Sequence, residues 1–311
     1  MDYSYTTYFA EIYDDVMKNV PYKYWFRYLK DLLKYYKLKP NSVLELASGT
    51  SNMTLKIINL QSVKRVTALD LSAAMLARAA EKLETELFNS RKFINYSIEE
   101  NNSTYHLQQN SKNLTVNFKE QNMTDFYFEN KFNLIVSFFD SLNYLTDLNQ
   151  LQSCFESAAA SLTENGLFIF DMNSIGRIKT IEEKSFVIEG DSYQCFWEDI
   201  VKAKENLWQV KLKICPDNDQ LPCFEETHSE RGYQIDTIVR LLKKSGFKAV
   251  DVYNAFSLAS GKNNSDRLYF AASLNEKRLE QNQGQLKKLY YGTKNRIDYF
   301  FAILIFKLIV Y

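Results

Sequence analysis

The stretch SVLELASGTSNMTLKI, from Ser42 to Ile57, constrains the fold more than any other part of the 311-residue chain. A short apolar run, a cluster of small residues and then apolar residues at helical spacing predict a strand, a tight turn at Gly49 and a helix. Gly49 supplies backbone freedom where the chain reverses, and Ala47, Ser48 and Ser51 keep the surface low enough for a flat ligand to lie against the backbone. Open parallel sheets bind ligands at the carboxyl ends of their strands, where the first strand-to-helix turn normally lies. Two phosphate cradles do not match. The dinucleotide fingerprint needs G-x-G-x-x-G and here Gly49 stands alone, and the P-loop needs Gly-Lys-Ser/Thr but no lysine follows Gly49 before Lys56.

The next element narrows the ligand. VKRVTALDLSAAML predicts a strand from Arg65 to Leu69 ending in Asp70, then a Ser72 N-cap and a helix whose apolar face opens with Met75 and Leu76. An acid at the end of the second strand accepts hydrogen bonds from both hydroxyls of a ribose, which implies an adenosine. With an adenosine implied and no phosphate site, S-adenosyl-L-methionine is the economical cofactor, and Glu45 is the acid for its ammonium. The alternative for Asp70 is a charge that complements the dipole of the helix after it.

The stretches VLELASGTSNMT, VTALDLSAAMLARAAEKL, FNLIVSFFDSLNYL and LTENGLFIFDMNS follow one another as in class I S-adenosylmethionine-dependent methyltransferases, which the chain resembles. YFAEIYDDVMKNVPYKYW near the start and EETHSERGY late in the chain are similar to a small bacterial branch of that family, so the resemblance covers most of Tyr8 to Ser273. It implies an α/β fold: a Rossmann-like seven-stranded sheet of order 3-2-1-4-5-7-6, with an N-terminal helical cap and an antiparallel β flap inserted after the fifth strand. The expected cofactor-binding residues are Tyr13, Glu45, Ala47, Ser48, Gly49, Asp70, Leu71, Met75, Asn122, Met123 and Phe138. Met75 and Met123 suit the adenine faces or, equally, core packing. Two positions depart from the family pattern: Ser51 stands where a glycine is usual, and amides at Gln121–Asn122 stand where an acid is expected.

Apolar and polar patterning divides the chain into a helical cap at 1–40, a core at 41–184 carrying a polar surface insertion at 89–113, and a flap at 185–233 where apolar and polar residues alternate. The core sheet ends over 234–273, and a charged, then apolar tail runs over 274–311. The tail's apolar stretch is interrupted by Lys307 and is shorter than the roughly 20 residues that span a bilayer, so packing is expected there ahead of membrane contact. Lys plus Arg and Asp plus Glu both number 38, so no global positive field marks a nucleic-acid partner. Cys154, Cys195, Cys215 and Cys223 show no C-x-x-C spacing and read as small core hydrophobes. With no signal peptide at the start, a reduced, cytoplasmic setting is expected.

Methyl transfer from a sulfonium is an in-line displacement that chiefly requires nucleophile and methyl carbon to be held collinear. No metal site is expected, since the two histidines, His106 and His228, have no ligand spacing around them. The catalytic candidates are Asp140, Asn143 and Tyr144 after the fourth strand, and His228, which alternation places on one flap face with Glu226, Glu230 and Gly232. His228 serves either as the side-chain base or as a hydrogen-bonded strut. Tyr13 and Tyr22 of the cap are expected to close over the cofactor. The expected activity is methylation of a nitrogen or oxygen of a small-molecule acceptor; a protein or tRNA methyltransferase, or an inactive binder of the cofactor, are the other readings.

Overall fold

The computed structural model describes residues 7–89, 93, 95–99, 103–109, 112–218 and 221–280. Helices α1 (Thr7–Val16) and α2 (Tyr22–Tyr35) come first, followed by β1 (Ser42–Leu46), α3 (Thr54–Ile57), β2 (Arg65–Asp70) and α4 (Ala73–Asn89). The chain continues through β3 (Asn95–Ile98), β4 (Thr104–Gln109), β5 (Lys112–Glu120), β6 (Phe132–Ser137), α5 (Leu148–Ser161), β7 (Leu162–Asn173) and α6 (Ile175–Lys179). The flap is β8 (Ser185–Glu189), β9 (Tyr193–Lys202), β10 (Leu207–Pro216) and β11 (Phe224–Arg231), and α7 (Ile235–Lys244), β12 (Ala249–Asn254), β13 (Arg267–Ser273) and α8 (Lys277–Glu280) complete the described chain.

The main sheet has the order β12-β13-β7-β6-β1-β2-β5-β4-β3. Leaving out β3 and β4, this is the expected order read from the opposite edge. Its central strands bury apolar residues on both faces because successive side chains enter different cores. Val43, Val66, Leu134 and Leu167 pack with Leu29 and Leu32 of α2 and Ala79 and Leu83 of α4. Leu44, Leu69, Ile135 and Phe168 pack on the other side with Phe155 of α5 and Leu242 of α7.

The sheet has nine strands where seven were expected. Part of the 89–113 insertion, expected to be a surface excursion, is the hairpin β3–β4, which pairs antiparallel along β5 from Thr104 opposite Asn117 to Gln109 opposite Lys112. Tyr105 and Leu107 alternate inward and are buried, and the Tyr105 hydroxyl reaches Glu84 Oε1 on α4 at 2.7 Å. The surrounding Asn, Gln and Ser residues masked that short alternation.

The flap is a separate four-stranded antiparallel sheet of order β11-β10-β9-β8. Its Tyr193, Cys195, Val210, Leu212 and Ile214 pack on Phe9, Ala10 and Ile12, so one face of α1 is buried against the flap, and Met75 joins the same cluster. The cysteine reading is corrected here. Cys154 and Cys195 are buried thiols, but Cys215 and Cys223 form a disulfide across the β10–β11 turn. Two cysteines bracketing a turn between alternating strands are the signal that a search for C-x-x-C passes over. The cysteine pattern therefore does not argue for a reducing compartment. Among the described residues no helix is long and apolar enough to cross a membrane. The expected tail lies outside the described residues from residue 281 onward.

Candidate active site

The turn after β1 is built from left-handed backbone. Ala47, Gly49 and Ser51 have φ of 50°, 53° and 62°, a region that costs an L-residue roughly 1–2 kcal/mol and glycine little. Ser51 therefore holds the conformation for which glycine is suited, and is fully buried while doing so. Asp70, at the end of β2, holds the turn in place: its Oδ2 accepts from the Gly49 N–H at 2.7 Å and its Oδ1 from the Ser72 N–H at 2.9 Å. Burial raises the Asp70 carboxyl, and the N–H groups of Ser72, Gly49 and Leu71 oppose that rise.

Beneath the turn, Glu45 is 4% exposed and accepts a hydrogen bond from the Thr54 hydroxyl. Burial pushes its carboxyl up to about 8, the Thr54 bond opposes this, and the charge of Asp70 adds to it. Glu45 is thus a neutral acid at pH 7 until a cation arrives beside it.

These groups open onto a cavity of about 580 Å³. Glu45, Ala47, Ser48 and Gly49 line it from the turn, Asp70 and Leu71 from the end of β2, and Met75 from α4. Asn122, Met123 and Phe138 form another wall, with Tyr13 and Tyr22 from the cap. Leu71 is exposed in spite of its apolar side chain, whereas Met75 is buried and also packs in the cluster between α1 and the flap. The Asn122 Oδ1 accepts from the Thr124 N–H and hydroxyl, each at 2.9 Å.

The structure brings together only part of the catalytic set. Tyr144 lines the cavity; Asp140, Asn143 and His228 do not. Asn143 is fully buried, and its amide serves the backbone: Nδ2 donates to the carbonyls of Asn173 at 3.1 Å and Arg231 at 2.8 Å, while Oδ1 accepts from the Asn173 N–H at 3.0 Å. Asp140 faces Asn173 and Arg267. His228 lies behind the wall, 5% exposed, with its ring centroid 6.1 Å from Tyr144 and 5.6 Å from Phe9, and its Nε2 is 3.2 Å from Glu226 Oε2.

Sequence reasoning missed the polar lock at the rim. Asp14 of α1 accepts from the Thr50 hydroxyl and from Asn52 Nδ2, each at 2.8 Å, and pairs with Lys82 of α4 at 2.7 Å. Thr50 and Asn52 line the cavity, as do Thr124 and Gln150. The spacing of Asp14, Thr50, Asn52 and Lys82 carries no motif; an acid on the polar side of the cap helix is the only available hint.

Comparison with known proteins agrees with this geometry. Residues 5–136 match the ubiE/COQ5 methyltransferase family. Two bacterial proteins named as inferred methyltransferases are similar along nearly their whole length. One, from Geobacillus sp. (strain WCH70), is 24% identical over 85% of this chain and 97% of its own; the other, YqeM of Bacillus subtilis (strain 168), is 24% identical over 85% and 95%. The crystal structure of an S-adenosylmethionine-dependent methyltransferase from Clostridium acetobutylicum ATCC 824 superposes with a TM-score of 0.67 at 25% identity, over 86% of this chain and 98% of that one. These likenesses support a class I S-adenosylmethionine-dependent methyltransferase.

The residues of the site fit the cofactor. A Cβ built at Gly49 meets nothing within 4 Å, so the turn borders open space. The Ser48 hydroxyl, on the cavity wall and 7% exposed, has no hydrogen-bond partner among the described residues. An open cradle beside an orphaned hydroxyl, a buried acid at Glu45 and a half-buried one at Asp70 is what a ligand with an ammonium and several hydroxyls would satisfy. Bound there, S-adenosyl-L-methionine supplies a sulfonium methyl carbon for displacement.

Proposed function

We propose that the protein methylates a nitrogen or oxygen of a small molecule held between the 138–145 loop and the helical cap. The observation that carries this reading is the continuity of the cavity: one enclosure runs from Gly49 and Asp70 to Phe139, Ser141 and Tyr144, and Tyr13 and Tyr22 line it from the cap. Its volume of about 580 Å³ falls in the range of roughly 300–1,000 Å³ for small-molecule sites. The balanced charge supports a small acceptor over an RNA.

Within this reading Glu45 and Asp70 fix the two ends of the cofactor, and the apolar Phe138 and Phe139 exclude water from the transfer path. Tyr144 touches the acceptor and orients its nucleophilic atom. His228, beside Glu226 and in ring contact with Tyr144, is the candidate to receive the acceptor's proton where the acceptor carries one. In-line transfer then depends on holding the two reacting atoms about 3–3.5 Å apart, which is a demand on position more than on acid strength.

The test is transfer of labelled methyl from S-adenosyl-L-methionine to fractionated bacterial metabolites, with bulk tRNA and protein in parallel. Label in a low-molecular-weight fraction, lost in Tyr144→Phe while cofactor binding persists, supports the reading. Label confined to tRNA or protein overturns it.

A further inference from the structure

Beside the Tyr144 loop, two carboxylates pair with one guanidinium and a third lies next to them. Arg267, at the start of β13, pairs with Asp171 of β7 through one terminal nitrogen and with Asp140 through the other, the latter at 3.2 Å. Glu230 of the flap has no such cation. It is 7% exposed and accepts from Asn173 Nδ2 at 2.9 Å, and the same nitrogen contacts Asp140, so the two carboxyl groups meet on one amide. Two carboxyl groups brought together in a buried site disfavour a second negative charge, which a proton on one of them relieves.

Asp140 belongs to a costly piece of backbone. Phe139 and Asp140 both adopt left-handed φ, 61° and 55°, a conformation that costs roughly 1–2 kcal/mol for each non-glycine residue and persists only where neighbours enforce it. Phe139 lines the cavity and stacks on Trp25 of α2 at 4.6 Å. The other flap contacts of this loop lie downstream: Asn143 donates to the Arg231 carbonyl, Arg231 to the Thr146 carbonyl at 2.8 Å, and the Tyr233 hydroxyl to the Leu145 carbonyl. Those bonds do not reach Phe139.

We propose that Glu230 is a positioning residue for the acceptor end of the cavity: as a neutral acid it donates to Asp140 and so holds the Phe139–Asp140 segment in its left-handed form. The inference rests on the small-molecule reading above, because it concerns the same end of the cavity. The charged and titratable groups around Glu230 are Asp140 on the loop, Asp171 on β7 and Arg267 on β13, with His228 and Glu226 on its own strand face; β10 presents Trp208 opposite it. Burial first, and then the charge of Asp140, keep the Glu230 carboxyl well above the carboxylate range, while the Asn173 bond and Arg267 oppose this. Removing the proton would set two anions against each other and release the segment.

Amide hydrogen exchange on the full chain tests the proposal without knowledge of the acceptor. In peptides covering 138–146, exchange corrected for its intrinsic pH dependence should accelerate as pH rises above the ordinary carboxylate range. The limit for a single proton is about tenfold per pH unit. Glu230→Gln should stay protected throughout, since its amide still donates to Asp140 and does not ionise, and Glu230→Ala should exchange fast at every pH. A flat wild-type profile overturns the proposal, as does a Gln variant that follows the wild type. If the Gln variant does not fold, the wild-type series decides alone. Calorimetric titration with S-adenosyl-L-methionine separates the two readings: absent binding defeats the functional assignment, whereas intact binding with a flat exchange profile defeats only the role of Glu230.

Discussion

Asp70 and Gly49, 21 residues apart in sequence, are joined by a 2.7 Å hydrogen bond from the Gly49 N–H to the Asp70 carboxylate. The acid that sequence reasoning assigns to a ribose is therefore also a fastening of the turn that borders the ligand. Asp70→Ala should weaken cofactor binding by about 1–3 kcal/mol, the range for losing a charge-assisted bond, and should also lower the melting temperature. Titration calorimetry together with thermal unfolding checks both. Unchanged affinity in a folded variant would remove Asp70 from the site.

Glu45 makes cofactor binding a proton-linked event. Its carboxyl, raised to about 8, is mostly protonated at pH 7, and an ammonium placed against it would favour the ionised form. Binding at pH 7 should release a proton to the buffer. The observed enthalpy should then vary with the ionisation enthalpy of the buffer, and Glu45→Gln should abolish that variation. The sign for stability is also determined. The unfolded chain loses this proton near 4.5 and the folded chain near 8, so Glu45 makes folding less favourable as pH climbs between those values. Glu45→Gln should flatten that part of the stability profile.

Ser51 offers a stabilising substitution. At φ 62° a serine bears a conformational cost that glycine avoids, partly offset by the greater freedom of glycine in the unfolded chain. Ser51→Gly should raise stability by about 0.5–1 kcal/mol in denaturant unfolding, without reducing cofactor affinity. A loss of stability would show that the buried hydroxyl has a partner in solution.

Asp14 joins α1 to the rim of the cofactor cavity through Thr50, Asn52 and Lys82. Asp14→Ala should leave the core sheet and its melting transition nearly unchanged. It should accelerate cofactor dissociation, with an affinity loss of about 1 kcal/mol, as fits a partly exposed ion pair reinforced by two hydrogen bonds. Stopped-flow displacement measures the off-rate; an unaltered rate would mean that α1 does not cover the ligand.

The central fold was legible because βαβ units carry two periodicities that do not mimic each other. Val43–Leu46, Val66–Leu69 and Phe132–Val136 carry apolar residues on both faces, and the intervening helices do not. The cofactor end of the cavity was legible for a related reason: Glu45, Gly49 and Asp70 sit at fixed offsets from strand ends, so locating the strands locates them. The acceptor end has no such anchor. Asp140 and Asn143 read as polar residues after a strand, yet their partners Asn173, Arg231 and Arg267 lie 30 to 127 residues away, on elements that meet only in the folded chain. The lock at Asp14 is likewise a fact of assembly, unmarked by spacing, whereas the disulfide at Cys215 was signalled by two cysteines bracketing a turn.

The β3–β4 hairpin changes how this sheet meets its surroundings. Without it, the nine-residue β5 would end the sheet and present a long row of open backbone groups, a template for association with other chains. The hairpin moves that border outward to β3, a strand of four residues whose side chains are all exposed. So short a border offers an incoming strand few hydrogen bonds, and the insertion thereby acts as a guard against aggregation.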